Sequence, residues 1–150
     1  MPSSFDLIVK NGKCFINGQI KTIDIGISNG IIKSIGKIEK TSNEKIIEVN
    51  NLIVLPGIID TQVHFREPGS TDVEDLASGS KAAVLGGITS VFEMPNTNPP
   101  TSNQTEFNKK LNLAKNRMFC NYAFYFGATP HNTDDLKKLN DLEGCCGVKL

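Results

Sequence analysis

The sequence predicts an α/β chain in which a short all-β segment precedes strictly alternating strands and helices. Three observations predict it. β-Branched runs separated by Asn-Gly pairs fill the chain to about residue 54. From residue 55 the apolar pattern alternates between short continuous runs and helical spacing, the signature of βαβ units. A chain of 150 residues with 39% hydrophobic and 21% charged composition can bury a core and has no reason to stay disordered.

In the first segment Phe5, Leu7 and Val9 alternate with other residues, as do Ile23, Ile25 and Ile27, and Ile46-Ile47-Glu48-Val49 is a further β-branched run. Asn11-Gly12, Asn17-Gly18 and Asn29-Gly30 stand between them. Asn-Gly supplies the two positive φ angles of a tight hairpin turn, so the expectation is a meander of short antiparallel strands. A lone hairpin is marginal in water, and these strands must pack on one another or on a neighbour. The grammar changes near residue 54, which sets the expected units at 1–54 and 55–150.

The second unit opens with a buried strand at Leu55-Pro56-Gly57-Ile58-Ile59-Asp60, bounded by Glu67-Pro68-Gly69. Thr71 with Glu74 three residues on predicts a capping box. The helix behind it carries Leu76, Ala83 and Val84 inward and closes at Gly86-Gly87. Thr89–Met94 is a second strand, stopped by Pro95. Thr101 and Gln104 form another cap signal before Phe107, Leu111 and Ala114, which recur at helical spacing. The aromatic stretch from Phe119 to Phe126 is a third strand whose rings pack. Asn132 or Thr133 caps a short helix with Leu136, Leu139 and Leu142 inward, and Gly147-Val148-Lys149-Leu150 begins a fourth strand. An open doubly wound sheet and a closed eight-fold barrel share this order. Three and a half units close no barrel, which takes about 250 residues. The expectation is the N-terminal part of a longer protein, without turnover of its own.

Sixteen basic residues balance sixteen acidic ones, so no net charge draws the chain to nucleic acid or anionic lipid. No apolar run has the length of a membrane span, and Met1–Asp6 lacks the basic and apolar stretch of a secretion signal. Cys14, Cys120, Cys145 and Cys146 show no CxxC spacing, which points to reduced thiols and a cytoplasmic location. No Walker or GxGxxG pattern follows a strand.

Only two histidines are present. His131 lies in a turn before a helix. His64 lies in Asp60-Thr61-Gln62-Val63-His64-Phe65-Arg66-Glu67-Pro68-Gly69, where strand alternation sends Asp60, Gln62 and His64 to one side. In a barrel that side opens at the C-terminal mouth, where such folds keep their chemistry.

Leu55-Pro56-Gly57-Ile58-Ile59-Asp60, then His64-Phe65-Arg66-Glu67-Pro68-Gly69, then Met94-Pro95-Asn96-Thr97 resemble the dihydroorotase branch of the amidohydrolase superfamily. The resemblance implies a small β-sandwich segment ahead of the first three to four β/α units of a (β/α)8 barrel. It implies hydrolysis of a cyclic amide, dihydroorotate to N-carbamoyl-aspartate, in pyrimidine biosynthesis, with one or two divalent metals, zinc by ligand type. Metal would be held by His64 and by Lys149 of Gly147-Val148-Lys149, the position of a carbamylated lysine in many relatives. The family has two histidines in the first strand, and Gln62 stands where the first is usual. An amide oxygen is a weak zinc donor, so Gln62 either reaches metal less tightly or marks a chain that has left metal chemistry. Arg66 and Asn96 would bind the substrate, Arg66 through its fork on a carboxylate, and Asp60 would orient its neighbours. A metal-free relative would instead be a scaffold for aspartate carbamoyltransferase, and an enzyme could be a homo-oligomer. Hydantoinase- and allantoinase-type cyclic amidases are the third reading, and Arg66 speaks against them.

Overall fold

A computed structural model describes residues 5–39 and 44–150. The secretion-signal reading of Met1–Asp6 therefore lies mostly outside the described residues. The chain divides into two compact units, residues 1–56 and 57–150.

The first unit is one five-stranded sheet built from β1 (Leu7–Ile16), β2 (Gln19–Ser28), β3 (Ile31–Gly36), β4 (Lys45–Glu48) and β5 (Ile53–Val54). Two of the three Asn-Gly pairs are the hairpin turns the sequence predicts. Asn17 and Gly18 (φ 51° and 78°) join β1 to β2, and Asn29 and Gly30 (φ 52° and 72°) join β2 to β3. Asn11-Gly12 is not a turn. It is a bulge inside β1, where the register against β2 shifts between Val9 and Gly12 and Asn11 takes φ 60°. The meander also ends at β3, because β4 and β5 join the opposite side of β1 in parallel. This single sheet is the segment expected to belong to a β-sandwich.

The second unit carries four parallel strands, β6 (Ile58–Val63), β7 (Ile88–Glu93), β8 (Asn121–Gly127) and β9 (Cys145–Lys149), in the order β6-β7-β8-β9. Sequential order with no reversal is the order of a barrel, whereas a doubly wound sheet reverses at a switch point. Between the strands run α1 (Leu76–Leu85), α2 (Gln104–Ala114) and the short α3 (Thr133–Leu136). α1 and α2 contribute to one core on one face, made of Phe65, Leu76, Val91, Phe107, Ala114, Phe124 and Phe126. The fold class is thus α/β, a β segment followed by the opening half of a curled barrel.

Both helix starts differ from their predicted caps. α1 is capped by Asp75, whose carboxylate accepts from Ser78 N at 2.6 Å, while Ser78 Oγ accepts from Asp75 N at 3.0 Å. Thr71 and Glu74 lie in the turn before it, and buried Glu67 accepts the next orphan donor, Leu76 N, at 3.0 Å. α2 is capped by Asn103, which accepts from Glu106 N at 2.9 Å, because Thr101 is buried beneath the loop. Asn132 precedes α3 but its side chain does not cap it.

The inward faces need correction at four places. Val84 is exposed, and α1 instead buries Gly79 against the Phe65 ring, where a Cβ would stand 2.4 Å from Cδ1. Ile58 and Ile59 are exposed on the edge strand β6. Phe119 is exposed, ahead of a strand that starts at Asn121. α2 buries Lys110 completely, beside Phe107 and Ala114. No helix among the described residues is long and apolar enough to cross a membrane.

Candidate functional site

The loops that follow β6 and β7 carry the motif residues, and backbone contacts bind these loops together. Met94 N donates to Val63 O at 3.0 Å, and Asn98 N donates to Pro68 O at 3.0 Å. Gly69 (φ 126°) lies so close to Asn98 that a Cβ would stand 3.2 Å from its backbone N and O. That explains a glycine at this position. Glu67 closes the frame from behind. Arg117 holds it bidentately, at 2.7 and 3.0 Å, while Arg117 also donates to Leu113 O at 3.1 Å.

This frame presents His64 to Asn96. The ring nitrogen Nδ1 lies 2.8 Å from Asn96 Oδ1. An amide oxygen only accepts, so the proton sits on Nδ1 and the Nε2 lone pair is left free. His64, Asn96 and Lys149 line one cavity of about 390 Å³ together with Ser102, Gly127 and Thr129. Lys149 Nζ donates to the carbonyl of Leu150. The cavity wall is stitched by Asn132, which is 8% exposed. Its Oδ1 accepts from Thr129 N at 2.8 Å, and its Nδ2 donates to Ser102 O at 2.7 Å and Gly127 O at 2.9 Å.

Three predicted site residues do not reach this cavity. β6 is irregular between Asp60 and Val63, so simple alternation does not carry from Asp60 to His64. Asp60 Oδ1 turns back to accept from Gln62 N at 3.0 Å, and Gln62 is exposed. Arg66 is exposed on the loop after His64 and lies outside the cavity lining. His131 is exposed in its turn, its N–H donating to Thr129 Oγ1 at 3.3 Å. Cys146 is half-buried with its thiol pushed up to about 11, first by burial and then by the neighbouring Cys145, so it is a poor nucleophile.

The donor chemistry suits a divalent ion on one side. A neutral imidazole whose other nitrogen is tied to a fixed acceptor is the form in which histidine coordinates. Beyond His64, the amide of Gln62 is weak and an amine coordinates only when deprotonated or converted to a carboxylate-bearing group. Among the described residues no three His, Cys, Asp or Glu side chains gather close enough to hold an ion. His64 alone makes no complete metal centre among the described residues.

Sequence reasoning missed the pair behind this wall. Glu93 on β7 and Lys110 on α2 are both fully buried, with Lys110 Nζ 3.0 Å from Glu93 Oε2. The ammonium also donates to Met94 O at 3.2 Å and lies 5.1 Å from the Phe124 ring centre. Burial pushes the Glu93 carboxyl up to about 8 despite Lys110, with Glu67 and Glu74 adding to the rise. Burial lowers Lys110. The only sequence signal was a lysine interrupting the apolar face of α2.

The amidohydrolase family model matches residues 53–145. An allantoinase of Rubrobacter xylanophilus is 38% identical over 98% of this chain and 32% of its own length. A dihydroorotase of Thermococcus kodakarensis is 40% identical over 79% of this chain and 29% of its own. Among solved structures, an L-hydantoinase (dihydropyrimidinase) from Arthrobacter aurescens superposes with a TM-score of 0.88 at 30% identity, over 97% of this chain and 32% of that one. The chain spans about a third of the length of the relatives it matches.

Proposed function

The chain belongs to the amidohydrolase family, and on that premise we propose that it forms one wall of the active centre of a cyclic-amide hydrolase that opens dihydroorotate to N-carbamoyl-aspartate. The observation that carries this reading is the 2.8 Å contact of His64 Nδ1 with Asn96 Oδ1, which leaves Nε2 free on a residue that lines one cavity with Lys149. His64, Lys149 as its carbamate and, more weakly, Gln62 would hold a divalent ion, zinc by ligand type. Such an ion, when bound, polarises the ring carbonyl and lowers the pKa of water. Asn96 keeps the imidazole proton on Nδ1, and its NH2 remains to donate to a ring acceptor. Ser102 and Thr129 add hydroxyls to the same wall. Arg66, on the loop after His64, is the cation for the substrate carboxylate.

The test is a panel of dihydroorotate, allantoin and hydantoin on the full-length protein. The reading expects dihydroorotate to be preferred, and Arg66→Ala to lower its kcat/KM by about 10- to 100-fold. Asn96→Ala should lower metal affinity or turnover by about 10- to 100-fold on any accepted ring. A second reading, a ring without a carboxylate, is favoured by the position of Arg66 outside the cavity lining. Preference for allantoin or hydantoin with Arg66→Ala silent would replace the first reading by the second. Metal-free protein that opens none of the three and binds aspartate carbamoyltransferase would leave the scaffold.

A further inference from the structure

A lysine buried without exposure in a helix face is expensive, and an apolar side chain would complete the row of Phe107 and Ala114 more cheaply. What an apolar residue lacks is the bond that Lys110 makes. Its one aligned donation, at 3.2 Å, goes to the carbonyl of Met94. Met94 is the junction of the site. Its own N–H donates to Val63 O, the residue before His64, and two residues on Asn96 accepts from His64. Glu93 contributes differently. Its oxygens make no hydrogen bond of good geometry among the described residues, although Lys110 Nζ is 3.0 Å away. Glu93 is thus the acid packed beside the ammonium, and the directional contact is between Lys110 and the strand end.

We propose that Lys110, with Glu93 packed beside it, is a positioning residue that fixes the backbone at Met94 and through it the aim of Asn96 at His64. The proposal rests on the reading of His64 and Asn96 given above and names a residue outside the cavity on which their geometry depends. A buried pair that served packing alone is replaceable by apolar groups of similar volume at little cost. A positioning pair is not replaceable in that way, because small misplacement of reacting groups is costly.

The experiment compares the full-length protein with Glu93→Met/Lys110→Met, using Phe107→Leu as a core variant that leaves the Met94 bond intact. The 15N shifts of the His64 ring, read in chelator-treated protein, report the tautomer without reference to turnover. In the wild type and in Phe107→Leu the proton should sit on Nδ1. In the double variant, folded by its urea transition, both tautomers should be populated, and kcat should fall on the order of 10²-fold with KM little changed. A folded double variant that keeps the Nδ1 proton and its kcat overturns the proposal. The wild type supplies a second measurement that needs no variant. The Lys110 ammonium protons should exchange slowly and show Overhauser effects to Met94, and a fast-exchanging ammonium overturns the proposal even if the double variant does not fold. Should the wild type open no ring at all, the functional reading fails, while the tautomer still answers for the positioning.

Discussion

Each unit of the chain buries one acid within a strand, and the two acids behave in opposite ways. Asp24 on β2 is 5% exposed and Glu93 on β7 is fully buried. Asp24 accepts from Asn11 N at 2.9 Å and Ile38 N at 3.0 Å, with Lys10 Nζ 3.9 Å away. Burial pushes its carboxyl up, but these donors outweigh burial and hold it below the ordinary carboxylate range. Glu93 has a cation beside it and no aligned donor, and burial wins. Depth alone does not set the charge state of a buried acid; the number of well-aimed N–H groups does. Asp24 is a clasp that ties the β1 bulge to the chain leaving β3. Glu93 lies beside a cation whose bond goes elsewhere.

The largest effect should come from breaking the weaker arrangement. Lys110→Met removes both the cation beside Glu93 and the bond to Met94, and losing one partner of a buried pair costs about 3–5 kcal/mol. Asp24→Asn keeps the shape and one acceptor while turning an NH2 toward a backbone donor, which should cost about 1–3 kcal/mol. Urea unfolding of the two variants ranks them. If Asp24→Asn proves the costlier, the distinction between the clasp and the buried pair is reversed.

The two acids should also write opposite slopes into stability against pH. Glu93 sits at about 8 in the folded chain against an ordinary 4.5. The unfolded chain therefore loses this proton first as pH rises, so the Glu93 contribution to stability should fall between about pH 4.5 and 8. Asp24 is lowered from 3.8, so its contribution is present above that value and is lost as pH falls through the folded value. Chemical denaturation across pH should show Glu93→Met/Lys110→Met flattening the neutral limb, and Asp24→Asn flattening only the acid limb. A neutral limb unchanged in the double variant would place its origin in other groups.

Much of this architecture could be read from the sequence, and the exceptions have physical causes. Alternating patterns fix which segments are strands and helices, because burial of one face depends on local period. The caps of α1 and α2 lie four and two residues beyond the positions the sequence suggests. Thr71 and Glu74 have the right chemistry, yet Asp75 with Ser78 lies where the chain enters α1. The motif brought His64, Asn96 and Lys149 to one cavity, but strand alternation did not carry Gln62 or Asp60 there, since an irregular β6 is invisible to a period of two. Glu93 and Lys110 could not be paired in advance, because their contact depends on how α2 seats on β7. Asp24 was hidden for a related reason, its donors coming from a bulge and from a strand exit that no pattern announces.

Identical dipeptides doing different work give the smallest and sharpest test of the clasp. Gly18 lies in a hairpin turn at φ 78° with nothing within 4 Å of a would-be Cβ, so Gly18→Ala should cost about 1–2 kcal/mol from backbone strain alone. Gly12 has no such strain, but a Cβ there would stand 2.7 Å from Val54 Cγ2 and 3.2 Å from Val49 Cγ2. Overpacking at that spot should cost about 1–3 kcal/mol. The totals overlap, so the discriminating quantity is coupling. Gly12→Ala deforms the bulge that aims Asn11 N at Asp24, and combined with Asp24→Asn it should depart from additivity by about 0.5 kcal/mol or more. Gly18→Ala with Asp24→Asn should add to within about 0.5 kcal/mol, since the turn shares no partner with Asp24. Equal coupling in the two cycles would mean that the bulge is not what presents Asn11 to Asp24, and the clasp would then rest on Ile38 alone.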